Sequence, residues 1–207
     1  MMVMGTDRRA LRPHTKLTIK QEKTINANER IAILGSGSWG TALAIQFVRA
    51  GRPAIMWGIE AHEIKAMAKN RRNTAYLPGI EFPGGLEVTT KFKDAVTNAK
   101  DVLLAVPSHA FRETLERLDS LPSSPQNVAW ATKGFEAETG LLPNQVAADL
   151  LESHVKTAVF SGPTFASEVS SGLPTAITIS SKDADNALRL AQSIATDDFR
   201  AYTSTDI

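Results

Sequence analysis

The sequence contains no cysteine among its 207 residues. Disulfides, thiolate nucleophiles and cysteine-ligated metals are therefore excluded, and the composition fits a reducing compartment, so we expect a cytoplasmic protein. No apolar run approaches the roughly 20 residues that a membrane-spanning helix needs. The 23 basic and 22 acidic side chains nearly cancel, so the charge does not suggest a nucleic-acid partner.

Histidine is also scarce, and no His/Asp/Glu spacing indicates a metal site. His109, after Pro107 and Ser108, could be proposed as a general base, but we interpret it as a rim or packing residue. Neither a G-x-S-x-G nucleophile elbow nor a P-loop lysine pattern is present. Nucleophilic serine chemistry and P-loop phosphoryl transfer are therefore not indicated.

The most informative stretch is a glycine-rich turn between an apolar run and an apolar, alanine-rich segment. Ile31–Leu34 reads as a buried parallel strand, and Gly35, Gly37 and Gly40 follow in a G-x-G-x-x-G pattern. In a dinucleotide site the first glycine permits the tight turn, the second lets the backbone approach a pyrophosphate, and the third lets the helix pack closely. The N–H groups of the first helical turn would hold the phosphates. The alternative is an ordinary glycine-rich turn.

From Arg30 onward, segments typical of strands and helices alternate. This alternation predicts an α/β, Rossmann-like fold: a doubly wound, mainly parallel sheet with helices on both faces. We expect one such domain over residues 30–207. We expect Ser108 to cap one helix and Pro163 to open another over Thr164–Val169. Residues 1–29 are basic and lack apolar periodicity, so we predict a disordered tail rather than a transit peptide.

In such a sheet, ligands bind beyond the carboxyl ends of the strands at the switch point. That rule predicts four candidate ligand-binding turns: Gly35–Gly40, Pro107–Phe111, Thr132–Gly134 and Ser161–Ala166. The Lys133 ammonium suits an anionic substrate or polarisation of an oxygen, although a surface lysine is an equally good interpretation. The Thr164 hydroxyl, at a second helix start, suits a phosphate or hydroxyl group, although an ordinary capped turn is a slightly better interpretation of these residues alone.

The cofactor preference stays open at this stage. Glu60, just after the second predicted strand, stands about where an acidic residue selects NAD by binding its ribose hydroxyls. However, Lys65, Lys69, Arg71 and Arg72 follow closely, and basic groups accommodate the 2′-phosphate of NADP. NAD or NADP is therefore expected.

Several motifs occur together in one order. They are Gly-Ser-Gly-Ser-Trp-Gly-Thr-Ala (35–42), Trp-Gly (57–58), Asn-Thr-Ala-Tyr-Leu-Pro (73–78), Val-Pro-Ser (106–108), Trp-Ala-Thr-Lys-Gly (130–134), Glu-Ala-Glu-Thr-Gly (136–140), Ser-Gly-Pro-Thr-Phe-Ala (161–166) and Gly-Leu-Pro-Thr-Ala (172–176). From about Arg30 to Ile207 the sequence closely resembles the bacterial NAD(P)-dependent sn-glycerol-3-phosphate dehydrogenases. The resemblance implies an oxidoreductase that transfers hydride between dihydroxyacetone phosphate and glycerol 3-phosphate, a precursor of glycerophospholipids.

The resemblance also implies roles for individual residues. Cofactor contacts are implied for Gly35, Gly37, Ser38, Trp39, Gly40, Ile59, Phe111, Lys133 and Ala166. Ile59 corresponds to a position beside the adenosine end that is often basic in NADP users, and Phe111 to an aromatic on the nicotinamide side. Lys133 would touch both cofactor and substrate, and Gly162 and Thr164 would touch the substrate.

In the family, the chain continues into a helical domain with the lysine that takes the hydroxyl proton and residues that grip the substrate phosphate. We therefore expect the cofactor-binding part of the enzyme, inactive alone, and a homodimer is compatible with the full-length form. One alternative is a related dehydrogenase acting on 3-hydroxy or keto acids. The other is a non-catalytic dinucleotide-binding module.

Overall fold

The computed structural model describes residues 30–122 and 125–207, so the predicted tail at 1–29 lies outside the described residues. The strands are β1 (Ile31–Leu34), β2 (Ala54–Trp57), β3 (Leu86–Thr89), β4 (Asp101–Leu104), β5 (Asn127–Trp130), β6 (Lys156–Ser161), β7 (Thr175–Ser180) and β8 (Phe199–Ser204). The helices are α1 (Ser38–Arg49), α2 (Ala61–Asn70), α3 (Phe92–Val96), α4 (Phe111–Asp119), α5 (Pro143–Leu150), α6 (Ala166–Ser171) and α7 (Ala184–Ile194).

The described strands form one sheet of eight in the order β3-β2-β1-β4-β5-β6-β7-β8. Neighbouring strands are parallel, except that β7 runs antiparallel to β6. The chain passes from β1 outward to β2 and β3, then returns to the other side of β1 with β4. This reversal between β1 and β4 is the switch point that a dinucleotide site requires, and it confirms the predicted doubly wound fold.

Alternation along β1 explains why helices cover both faces of the sheet. Ile31 and Ile33 face one apolar layer, and Ala32 and Leu34 face the other. The first layer includes buried residues of α1, α2, α6 and α7, and the second those of α3, α4 and α5. Each fully buried Leu, Ile or Phe contributes about 1.5–3 kcal/mol of transfer free energy to this sandwich.

Two expectations about helix starts are wrong. Ser108 does not cap a helix: it opens a 3₁₀ turn, Ser108–Ala110, and no side chain caps α4. The helix after Pro163 begins at Ala166, with Phe165 as its N-cap, two residues later than predicted. Proline at a first helical position is a statistical preference. Here the segment first packs Gly162 against Ala176 and Ile177, where a Cβ would lie only 3.1 Å from the Ala176 carbonyl oxygen.

Candidate functional site

The turn after β1 is built around Gly35. Its φ of +124° is a conformation that residues with a side chain rarely adopt, and a Cβ there would lie 2.5 Å from the carbonyl oxygen of Ala105. Its N–H donates to the carbonyl oxygen of Trp57 at 2.9 Å. The turn is therefore held between β2 and β4, directly over the switch point.

The start of α1 is open to an anion. Gly37 is the N-cap with φ −70° and ψ −176°, and apart from its chain neighbours no described heavy atom lies within 4 Å of its would-be Cβ. No side-chain hydrogen bond caps this helix start, and the first turn carries no acidic residue. The first backbone N–H groups, from Ser38 onward, therefore combine with the positive end of the helix dipole to favour a phosphate.

The end of β2 lies beside this turn. A Cβ at Gly58 would stand 2.3 Å from the Ser36 hydroxyl oxygen, so Gly58 permits close contact between the two segments. Ile59 is 74% exposed, and Glu60 is also exposed, 4.0 Å from the Nδ1 of His62. The predicted cofactor-selecting position is thus at the surface next to the glycine turn.

The turn after β4 contains one buried and one exposed candidate residue. Phe111 is only 2% exposed and packs edge-on against Trp130, with 5.9 Å between ring centroids. Its ring belongs to the core in this structure, and its contact with the nicotinamide stays a prediction. His109 is exposed in the 3₁₀ turn.

Lys133 is exposed and follows a buried, hydrogen-bonded residue. The preceding Thr132 is buried, and its hydroxyl donates to the carbonyl oxygen of Val106 at 2.8 Å. Gly134 has a φ of +100° and lies beside Ser108, whose Oγ would be 3.6 Å from a Cβ there. The turns after β4 and β5 are therefore joined at the point where Lys133 leaves the sheet.

An ion pair holds the segment beyond Lys133. Arg112 donates to both carboxylate oxygens of Glu136, at 2.7 and 3.0 Å, and the Thr139 hydroxyl donates to the same carboxylate. The hydrogen bond from Arg112, followed by that from Thr139, lowers the pKa of Glu136 to about 2. The sequence motif contained Glu136, but no sequence signal identified Arg112 as its partner.

This pair predicts a measurable acid transition. Because the pKa of Glu136 is lowered in the folded chain, its stabilising effect is present above the ordinary value of 4.5 and is lost as pH falls toward 2. The carboxyl carbon resonance of Glu136 should titrate near pH 2 in the native chain and at a higher pH in Arg112→Gln, where the Thr139 hydrogen bond remains. Identical titration curves for the two proteins would contradict the assignment.

Two buried polar atoms lie at the predicted ligand positions without satisfying their hydrogen-bonding capacity. Thr164 Oγ1 and Trp39 Nε1 have no hydrogen-bond partner among the residues that the structure describes. Thr164 follows β6, and Trp39 stands in the first turn of α1; Trp39 and Ala166 pack against the same apolar layer. Since such atoms cost free energy when buried unpaired, both fit a site that a polar ligand completes.

The register brings the four nominated turns to one edge. Leu34 pairs with Leu104, Leu104 with Trp130, and Trp130 with Val159. The segments holding Gly37, Ser108, Lys133 and Thr164 therefore all leave the sheet at its carboxyl edge. Over residues 30–122 and 125–207, no cluster of His, Asp or Glu could hold a metal ion, and no helix is long and apolar enough to cross a membrane.

A cleft of about 440 Å³ lies elsewhere, near the start of β5 and β6, and includes Lys100, Lys156 and Arg189 in its lining. None of the predicted site residues lines it. Two of these cations have acidic neighbours: Lys156 lies 2.6 Å from Asp183, and Arg189 donates to Asp101. We therefore place the candidate site at the carboxyl edge.

Comparisons with known proteins identify the family of the chain. A family model described as the NAD-dependent glycerol-3-phosphate dehydrogenase N-terminus matches residues 30–187. A glycerol-3-phosphate dehydrogenase [NAD(P)+] of Xanthomonas campestris pv. campestris is 45% identical over 179 residues, which are 86% of this chain and 52% of that protein. That of Stenotrophomonas maltophilia is 44% identical over the same shares. The chain thus spans about half the length of the curated relatives it matches.

Solved structures show the same fold. A glycerol-3-phosphate dehydrogenase from Coxiella burnetii superposes with a TM-score of 0.82 at 36% identity, over 87% of this chain and 55% of that one. A UDP-D-ManNAc dehydrogenase from Pyrococcus horikoshii superposes at 0.65 with 17% identity, over 85% and 47%, and shows the fold alone. The family match covers more than half of the chain. This chain therefore belongs to the family of NAD-dependent glycerol-3-phosphate dehydrogenase N-terminal regions.

Proposed function

We propose that this chain binds NAD(H) or NADP(H) as the cofactor-binding part of a glycerol-3-phosphate dehydrogenase. The observation that carries the proposal is the open, uncapped start of α1 behind Gly37, seated on the switch point of the sheet. Backbone N–H groups at Ser38 and Trp39 would hold the diphosphate, and Ile59 would lie at the adenosine end. The cofactor, when bound, supplies the hydride acceptor or donor.

The substrate we propose is dihydroxyacetone phosphate in one direction and glycerol 3-phosphate in the other. Lys133 would stabilise negative charge on the substrate oxygen and also contact the cofactor, because it follows β5, between the turns after β4 and β6. Thr164, whose hydroxyl has no partner in the described chain, and Gly162 would contact the substrate. Phe111 and Ala166 would flank the cofactor.

A metabolic role, a cellular location and an oligomeric state are part of the same proposal. The reaction would supply the glycerol phosphate backbone of phospholipids, and we propose a cytoplasmic location for it. In the full-length form a homodimer is compatible with the proposal. None of these points alters the residues assigned to the site.

A fluorescence titration with NADH tests the proposal directly. The 207-residue chain should bind NADH saturably, and ADP should compete because both ligands present a diphosphate to the turn at Gly37. A folded sample that bound neither NADH nor NADPH would overturn the proposal. Circular dichroism on the same sample establishes that it is folded.

Measuring the binding of dihydroxyacetone phosphate tests the role of Lys133. With the chain saturated with NADH, Lys133→Ala should weaken binding of dihydroxyacetone phosphate by about 10-fold or more, because a charge-assisted hydrogen bond contributes about 1.5–3 kcal/mol. NADH affinity should change much less. Nuclear magnetic resonance titration measures both. The matched control is Lys182→Ala, since Lys182 is exposed and follows β7 at the opposite edge of the sheet. Equal substrate binding by the two variants would remove Lys133 from the site.

A further inference from the structure

Asn73 lies after α2, far along the chain from the glycine turn between β1 and α1, yet its side chain contacts that turn. It lies three residues after α2 ends at Asn70, and its side chain is fully buried. Its amide nitrogen donates to the carbonyl oxygen of Ser36 at 2.9 Å and to the hydroxyl oxygen of Thr41 at 2.8 Å. Both amide hydrogens are therefore used on the turn between β1 and α1.

The two acceptors stand on either side of the proposed phosphate-binding backbone. Ser36 precedes Gly37, and Thr41 follows the first turn of α1, where its N–H donates to the Gly37 carbonyl oxygen at 3.0 Å. One side chain thus connects the entry and the exit of the stretch from Gly37 to Gly40. Fixing both ends holds the intervening N–H groups in one arrangement before a ligand arrives, and such preorganisation raises affinity by reducing the ordering that binding requires.

Asn73 also belongs to a closed loop that spans Arg71–Leu86. The amide oxygen of Asn73 accepts from the N–H of Tyr76 at 3.2 Å, and its carbonyl oxygen accepts from the N–H of Leu77 at 2.9 Å. The Arg71 guanidinium donates to the carbonyl oxygens of Leu86 at 2.7 Å and Pro83 at 2.8 Å, which closes the loop at its base. The loop is organised by its own contacts and meets the glycine turn through Asn73.

We infer that Asn73 is a positioning residue for the dinucleotide phosphates, and that it links nucleotide binding to the order of the Arg71–Leu86 loop. The inference rests on the proposed function. Occupancy of the site stabilises the Ser36–Thr41 turn, and the hydrogen bonds of Asn73 carry that stabilisation to the N–H groups of Tyr76 and Leu77. Linkage is reciprocal, so a loop held by Asn73 favours the nucleotide to the same extent.

The test compares Asn73→Ala with Asn70→Ala, a matched control because Asn70 is an exposed asparagine at the end of α2, three residues before Asn73. NADH affinity should fall by about 10-fold or more in Asn73→Ala, since two hydrogen bonds to the turn are lost, and stay native in Asn70→Ala. Hydrogen exchange supplies a readout that a purely structural role would not move. NADH should slow exchange at Tyr76 and Leu77 in the native chain and in Asn70→Ala, and not in Asn73→Ala.

Thr41→Val provides a second variant if Asn73→Ala does not fold, because it removes one acceptor of Asn73 and keeps the shape of the side chain. It should lower NADH affinity in the same direction and weaken the protection of Tyr76. Native NADH affinity in the folded variant would overturn the inference while leaving the proposed function intact. Absence of NADH binding by the native chain would overturn both.

Discussion

Replacing Asp101 with asparagine is expected to lower the free energy of unfolding by about 3–5 kcal/mol, the usual cost of breaking a buried ion pair. Asp101 is the first residue of β4, and its side chain is 2% exposed. Its carboxylate accepts hydrogen bonds from the buried Arg52 and two from Arg189, each at 2.7 Å. Asparagine keeps the shape but removes the charge that faces both guanidinium groups.

The pH dependence of this effect has a defined sign. Burial on its own raises the pKa of Asp101, but the hydrogen bond from Arg189 and the charges of Arg52 and Arg189 outweigh it, so the pKa lies below its ordinary value of 3.8. The stabilisation is therefore present above pH 3.8 and is lost as pH falls through the lowered pKa. The difference between native chain and variant should shrink in acid.

Urea unfolding at pH 7 measures the change, with Glu81→Gln as the control. Glu81 pairs with Arg72 at 3.3 Å, but the Glu81 side chain is 70% exposed, so we expect a change below about 1 kcal/mol there. A similarly small change for Asp101→Asn would show that the buried network contributes little.

Substitution by alanine should affect stability strongly at Gly40 and weakly at Gly37. At Gly40 a Cβ would stand 2.1 Å from the Gly35 carbonyl oxygen and 3.2 Å from the Ala105 Cβ, so the backbone of α1 has to move. Gly40→Ala should therefore lower the free energy of unfolding by about 3 kcal/mol or more. Gly37→Ala should change it by less than about 1 kcal/mol, because its φ is ordinary and the surrounding space is open.

In Gly37→Ala, nucleotide affinity should fall strongly although stability changes little. A methyl group at Gly37 enters the space through which the backbone would approach a diphosphate, so NADH affinity should fall by roughly 30- to 100-fold in a stably folded protein, equivalent to about 2–3 kcal/mol. Thermal unfolding and NADH fluorescence on the same samples separate the two effects. Native NADH affinity in Gly37→Ala would place the diphosphate elsewhere.

Local sequence patterns were sufficient for the strands and for the glycine turn. Ile31–Leu34 could be identified because a short apolar run before G-x-G-x-x-G has one familiar structural context, and the structure shows that strand with the same bounds. The start of α6 could not be placed, since a proline signal marks the vicinity of a helix start. The contact between Gly162 and β7, shortly before α6 begins, lies beyond local sequence.

The contacts that hold the glycine turn and the sheet depend on residues distant in sequence. Asn73 reaches Ser36 across 37 positions, and Arg189 reaches Asp101 across 88. Neither pair has a spacing rule, because the fold alone brings the partners together. The burial of Phe111 against Trp130 is of the same kind, since an aromatic residue at the start of a helix can face either the core or a ligand.

The reversed direction of β7 ends the row of parallel strand tips at the carboxyl edge. Because β7 is antiparallel to β6, it begins where β6 ends, and Ala176 there lies against Gly162. Six neighbouring strands, β3 to β6 in the order of the sheet, consequently share one polarity, and the direction changes immediately beyond them. A molecule lying along the tips of β3 to β6 therefore meets the segments that follow each strand, and past β6 it meets the segments that enter β7 and β8.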